Sequence, residues 1–224
     1  YNNMNISDIL LGAAIIIAAP AVNRVGEAKA QQIHPDQVVV DSPFVHDPVL
    51  AYENGKYYLY STGHGISQMT SADRKHWTLC REGVLKNHEI PAWTHDSVPG
   101  FHTHIWAPDV IHYRNKWYLA YSCSTFGKNT SAIGLLSNTS LANMNGWKDE
   151  GCILASEGKR DNWNAIDPNF VIDDKGNPWM TWGSFWDGIQ LVKLDKKTMH
   201  VKKGAKPQTI ARRHAFGDAS AELN

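Results

Sequence analysis

Three times along the 224 residues an Asp stands beside a Pro, a turn follows, and an aromatic strand runs on to a Ser. The copies run from His46-Asp47-Pro48 to Ser61, from Ala107-Pro108-Asp109 to Ser122, and from Ile166-Asp167-Pro168 to Ser184. Tyr58 and Tyr118 lie 60 positions apart, and Tyr118 and Trp179 lie 61 apart. A fixed period of this size marks stacked or radially repeated units, none of which buries its apolar face alone. The same spacing sets carboxylates at equivalent points of successive units.

Each unit reads as short strands between turns. Glu53-Asn54-Gly55-Lys56, Arg114-Asn115-Lys116 and Asp173-Asp174-Lys175-Gly176-Asn177 all precede an aromatic strand, and Asn and Gly accept the positive φ of a tight hairpin. Further strand-like runs follow at Ile66 to Thr70, Ser131 to Leu136 and Ile189 to Leu194, with Trp-led strands at Trp77 to Cys80 and Trp147 to Glu150. No sustained helical period appears after residue 30. About four strands per unit predicts an all-β chain of β-propeller blades, of which about three are present, and propellers close with typically four to eight. The long connection from Val84 to Ile105, with Trp93 and Phe101, reads as a functional loop.

Charge excludes some function classes. With 22 basic and 22 acidic side chains there is no general attraction to nucleic acid or to an anionic membrane. The apolar stretch from Ile9 to Ala19 is too short to span a bilayer, and Ala28-Lys29-Ala30 resembles a cleavage site. Residues 1–30 therefore read as a signal peptide, residues 31–224 as a partial propeller catalytic domain, and the product as secreted or periplasmic. Cys80, Cys123 and Cys152 hold no C-x-x-C pair, so neither a zinc ribbon nor a dithiol redox site is indicated, and no disulfide is assigned.

In a propeller the innermost strands line the central channel, so aspartates opening successive units converge. Converging carboxylates suit hydrolysis of a glycosidic bond, where one protonates the leaving oxygen and another activates water or attacks carbon. An Asp before Pro also serves simply as a turn cap, and only the repetition at unit spacing favours chemistry. Asp47 and Asp167 share the order Asp-Pro. Asp109 has the order Pro-Asp, and since a one-residue shift on a strand turns a side chain to the other face, Asp109 reads as structural.

Five motifs in order make a specific resemblance: Val45-His46-Asp47-Pro48-Val49, Ile105-Trp106-Ala107-Pro108-Asp109-Val110, Phe126-Gly127-Lys128-Asn129-Thr130-Ser131-Ala132-Ile133-Gly134, Trp163-Asn164-Ala165-Ile166-Asp167-Pro168 and Gly183-Ser184-Phe185-Trp186. Together they resemble family-43 glycoside hydrolases of the endo-α-1,5-L-arabinanase type. The resemblance implies a five-bladed propeller that cleaves arabinan with inversion by three carboxylates. It makes Asp47 the general base and Asp167 the aspartate that orients the acid and keeps its pKa raised. The acid of that family lies in an Ile-Glu-Ala-Pro-like motif that this sequence lacks. Glu222 stands at nearly the right distance but in a different context, so the expectation is an acid beyond Asn224 and an inactive chain as given.

The resemblance also implies substrate contacts from Asn164, Ala165, Ile166, Ser184, Phe185 and Trp186, with Trp93 and Phe101 as aromatic platforms. No cofactor is expected for the chemistry, though a calcium ion on the axis of the complete propeller is implied. His102 and His104 would face one side of a strand, but two ligands do not make a zinc site, so no metal residue is assigned. The expected partner is a polysaccharide, arabinan or pectin side chains, met by a monomer, with no nucleic acid and no membrane after signal cleavage. Within the same chemistry an exo-acting β-xylosidase or α-arabinofuranosidase is the alternative. Outside it stand a non-catalytic sugar-binding propeller and a protein-interaction propeller.

Overall fold

A computed structural model of the chain describes residues 37–86 and 89–213, so the proposed signal peptide and Glu222 lie outside the described residues. Fourteen strands and one short helix are described, and the strands form three antiparallel sheets. The first sheet contains β1 (Gln37–Val40), β2 (Val49–Glu53), β3 (Lys56–Ser61), β5 (Ser67–Ser71) and β6 (Trp77–Cys80), in the order β1-β6-β5-β3-β2. Between β3 and β5, the two-residue β4 (Gly63–His64) leaves this sheet and pairs with the second. That second sheet runs β10-β9-β8-β7-β4, with β7 (His104–Tyr113), β8 (Lys116–Cys123), β9 (Ser131–Asn138) and β10 (Lys148–Ser156). The third contains β11 (Asn169–Ile172), β12 (Pro178–Trp182), β13 (Ile189–Lys193) and β14 (Gln208–Ala211) in sequence order.

The turns follow the sequence. Asn54 and Gly55 both have positive φ, 49° and 83°, as a two-residue hairpin between right-twisted strands requires. Register then follows directly, with Glu53 opposite Lys56 and Val49 opposite Tyr60.

The middle sheet is buried on both faces, which explains why β8 reads as an almost unbroken apolar run. The pleat sorts its residues: Trp117, Leu119, Tyr121 and Cys123 pack toward the first sheet, while Tyr118 and Ala120 pack toward the third. On β9, Ala132 and Leu136 face one core and Ile133 and Leu135 the other. Two carboxylates clamp the sheets together. Glu53 accepts from Trp117 Nε1 at 2.7 Å, Ser140 Oγ at 2.8 Å and the Leu141 amide at 2.8 Å. Asp109 accepts from the Phe170 amide at 2.6 Å and Asn169 Nδ2 at 3.2 Å.

Asp109 is thus structural, but for a reason other than a one-residue shift. It stands two positions beyond Ala107, with an irregular register between Trp106 and Asp109, and Ala107 is the residue that takes the place of Asp47 and Asp167. Cys80, Cys123 and Cys152 are all free, so no disulfide is formed among the described residues.

Candidate active site

Asp47, Ala107 and Asp167 are spaced sixty residues apart, each precedes a Pro, and each has a left-handed backbone, with φ of 50°, 42° and 55°. Ala gains nothing in that conformation, whereas Asp tolerates it. Its adoption at Ala107 shows that the fold imposes the turn at this point of each repeat whatever the side chain. The carboxylates of Asp47 and Asp167 are therefore not needed to make the turn.

Hydroxyl groups lock these turns between sheets. Thr62 Oγ1 accepts from the Ala107 amide at 2.9 Å, and sixty residues later Ser122 Oγ accepts from the Asp167 amide at 3.0 Å. Thr62 spends its one proton on Asp47 Oδ2, at 2.7 Å. His46 Nδ1 meets the same oxygen at 2.6 Å. Both contacts fall on Oδ2.

Asp167 differs. Its carboxyl remains within reach of solvent but is crowded by protein, so desolvation raises its pKa, and the negative charge of Asp47 raises it further. The two aspartates thus share one electrostatic site.

The remaining expected residues divide. Asn164, Ala165 and Ile166, which lead into Asp167, are buried. Asn164 Nδ2 donates to the Lys128 carbonyl at 3.3 Å, the Ala165 amide donates to Ser156 Oγ at 2.9 Å, and the Ile166 carbonyl accepts from the Gly183 amide at 2.8 Å. Phe101 is only 7 % exposed and belongs to the core between the first two sheets, and it also lines the shallow depression beside Trp106.

Trp93 is also an anchor. It precedes the single-turn helix α1 (Thr94–Ser97), partly buried against that core and 6.4 Å from the Tyr121 ring. Gly134 makes the slot, since a Cβ there would lie 2.3 Å from Tyr121 Cζ and 2.7 Å from Trp93 Cζ2. In contrast, Phe185 is 66 % exposed, with Ser184 and Trp186 half-buried beside it. Phe185 and Trp186 have φ of 57° and 37°, and the Gly188 amide closes the loop on the Phe185 carbonyl at 2.7 Å.

Sequence reasoning passed over Thr62, Trp106 and Phe126 as site residues. Phe126 is 92 % exposed between β8 and β9. Trp106 adjoins Ala107 and lines a depression of about 220 Å³ with His102, His104 and Ser124. The exposed Phe126 stood inside a motif already noted, which was the available signal. A larger cavity, about 560 Å³, lies among Asp96, Thr130 and Glu157 to Arg160 and includes neither aspartate. For the implied calcium ion, no group of three or more His, Cys, Asp or Glu side chains suited to a metal occurs among the described residues.

The sequence profile described as Glycosyl hydrolases family 43 matches residues 37–217. The chain is 43 % identical over 159 residues to the extracellular endo-α-(1→5)-L-arabinanase 1 of Bacillus subtilis (strain 168), covering 69 % of this chain and 48 % of that protein. It is 44 % identical over 154 residues to an extracellular exo-α-(1→5)-L-arabinofuranosidase of Cellvibrio japonicus (strain Ueda107), covering 67 % and 44 %. Among solved structures, an exo-1,5-α-L-arabinanase from a bovine ruminal metagenomic library superposes with a TM-score of 0.72 at 52 % identity, covering 79 % of this chain and 58 % of that one. The chain spans about half the length of the curated relatives it matches.

Proposed function

The chain belongs to glycosyl hydrolase family 43, and on that premise we propose that the whole protein is a secreted five-bladed propeller enzyme that hydrolyses internal α-1,5-L-arabinofuranosyl linkages of arabinan with inversion. The observation that carries this reading is the Asp47–Asp167 pair, placed at the same point of two repeats and electrostatically coupled. Support for the substrate comes from the printed activities of the relatives, and for secretion from their description as extracellular. No helix among the described residues is long and apolar enough to cross a membrane.

In this mechanism Asp47 is the general base. Thr62 and His46 hold its Oδ2, and Oδ1 takes a proton from the water that attacks the anomeric carbon. Asp167 supplies negative charge that keeps a neighbouring carboxylic acid protonated until it donates to the leaving oxygen. That acid is a third carboxylate, and no Ile-Glu-Ala-Pro-like motif occurs in these 224 residues to provide it. In the whole protein it comes from a further repeat, with acid and base about 6.5–9.5 Å apart so that water fits between base and sugar. Phe185, Trp186 and Phe126 supply exposed or half-exposed rings for furanose stacking.

Exo-action on the same linkage is the second reading, favoured by the Cellvibrio relative and the ruminal structure. Full-length protein incubated with linear arabinan separates the two. Mixed oligomers at early times establish endo cleavage, and release of a single product size from chain ends establishes exo cleavage. Asp47→Asn is expected to slow either reaction by about 10²- to 10⁴-fold with the fold intact. Hydrolysis at an undiminished rate in that variant would remove Asp47 as the base.

A further inference from the structure

The equal numbers of acidic and basic side chains conceal a local excess of one sign. At the seam between the second and third sheets a depression of about 280 Å³ is lined by Arg114, Lys193, Lys196, Lys197 and Lys202, with Asp195 as the carboxylate among them. Five cations against one carboxylate leave a net of four positive charges. None of the five forms an ion pair among the described residues. Asp195 is already engaged, since its Oδ1 accepts from the Lys197 and Thr198 amides at 2.8 and 3.1 Å.

The fold presents these cations from two neighbouring sheets. β13 ends at Lys193, and the turn that carries Lys196 and Lys197 is closed by the Asp195 amide on the His200 carbonyl at 2.8 Å and the Lys202 amide on the Lys193 carbonyl at 2.9 Å. Arg114 comes from the turn between β7 and β8, which Tyr113 Oη ties to the Gly176 carbonyl at 2.9 Å. Lys193 Nζ lies 5.2 Å from the centre of the Trp179 ring and the Arg114 guanidinium carbon 5.5 Å from that of Tyr113, so aromatic faces support both side chains. Lys193 stands opposite Trp179 at the end of the third sheet away from Asp167, about four strand residues or about 13 Å along it. The depression is therefore separate from the paired aspartates.

We propose that this depression binds a polyuronate, a sugar chain with a carboxylate on each ring, and so holds the enzyme on the acidic backbone that bears arabinan side chains; this role rests on the arabinan reading above. A space at the lower edge of ordinary ligand pockets, about 300–1,000 Å³, takes a short stretch of chain and not a folded partner. Arg114 offers a planar fork that fits a carboxylate, and the lysines offer point charges that follow repeated anions. Exposed ion pairs are individually weak and screened by salt, so a single uronate is held loosely, whereas successive carboxylates of one chain engage several cations at once. Among polyanions the carboxylated sugar chain is the one that accompanies arabinan outside the cell, where two relatives are described as acting. Binding there raises the local concentration of side chains at Asp47 and Asp167 with no contact at the reacting bond.

Calorimetric titration of the full-length protein with polygalacturonate tests this, beside galacturonic acid, carboxyl-reduced polygalacturonate and duplex DNA. The polymer is expected to bind about tenfold or more tightly than the single sugar acid, the carboxyl-reduced polymer not at all, and binding should fade as salt rises from about 0.1 M to about 1 M. Lys196→Gln with Lys197→Gln is expected to weaken polygalacturonate binding about tenfold, and Arg114→Gln, on the neighbouring sheet, to weaken it as well. Lys75→Gln with Lys159→Gln makes the same change of net charge on exposed lysines elsewhere and should leave binding intact. Free linear arabinan should be cut equally by the parent and the Lys196/Lys197 variant, while arabinan attached to its polyuronate backbone is cut by the variant with a raised KM. Unchanged polygalacturonate binding in the Lys196/Lys197 variant, equal binding of the carboxyl-reduced polymer, or tighter binding of duplex DNA overturns the proposal. Polygalacturonate binding that passes these tests in a protein that leaves arabinan uncut upholds the polyuronate site and sinks the catalytic reading alone, so the two failures are distinct.

Discussion

The aspartates that flank β11 have opposite fates. Asp167, at the entrance to its sheet, is held above the ordinary carboxylate range by desolvation and then by the charge of Asp47. Asp173, six residues on in the hairpin turn, accepts from Trp179 Nε1 at 2.9 Å, the Asn177 amide and side chain at 2.8–3.0 Å, and the Lys175 amide at 2.9 Å. Those donors pull its pKa well below the ordinary range. One carboxylate accepts no hydrogen bond among the described residues and is raised, and the other is taken up by four donors and lowered. The difference lies in what surrounds them, desolvating protein and then a second carboxylate in one case and donors in the other.

Asp167→Asn breaks the contrast most sharply. In the full-length enzyme, arabinan hydrolysis is expected to fall by about 10²-fold or more, measured as new reducing ends. Stability should move the other way. A carboxyl with a raised folded pKa binds protons more tightly when folded, so its ionisation removes stability as pH climbs from the unfolded pKa through the folded one. The variant is therefore expected to melt higher than the parent at neutral pH and to lose that advantage in acid. A lower Tm at neutral pH would show that Asp167 is structural.

Glu53 belongs with the structural set. Burial pushes its pKa up, but the donors from Ser140, Trp117, Ala142 and Leu141 outweigh this and leave it lowered. Glu53→Ala strands the Trp117 N–H between two sheets and is expected to cost about 2 kcal/mol in denaturant unfolding, with catalytic parameters retained. An unchanged midpoint would mean that the clamp between sheets is idle.

Thr62 is a positioning residue at the chemical end. Thr62→Val keeps the shape but removes both the donor to Asp47 and the acceptor for the Ala107 amide, so kcat is expected to fall about tenfold, or about 1.4 kcal/mol, with KM little changed. Thr62→Ser should restore it. Equal losses in both variants would point to packing instead.

The smallest effect is expected at Asp173. Its lowered pKa contributes stability that is present above the unfolded value and lost as pH falls through the folded one. Asp173→Asn should therefore lower Tm modestly at pH 7, and the gap to the parent should close toward strongly acid pH. A constant gap across that range would break the assignment.

Much of this was open to reading in the chain itself. Asn54-Gly55 announced its hairpin, and the sixty-residue spacing brought Asp47 and Asp167 forward as equivalents. The burial of Trp93 and Phe101 was not legible, because an aromatic in a long loop carries no mark of whether it faces solvent or core. The slot for Trp93 is made by Gly134, forty-one positions away on β9. The single turn α1 is too short to leave a helical period.

What the sequence determined by itself was the local and the repeated: turn chemistry, alternation along strands, and the recurrence of an Asp before Pro. These depend on neighbours a few residues apart and on a period that any copy reveals. Tertiary structure alone decided what those residues meet. Thr62 reaches Asp47 across fifteen positions and Ala107 across forty-five, and His64 meets His104 across forty. Such contacts arise only when strands pair and sheets pack, because a side chain's environment is set by whatever the fold places opposite it and not by its place in the chain.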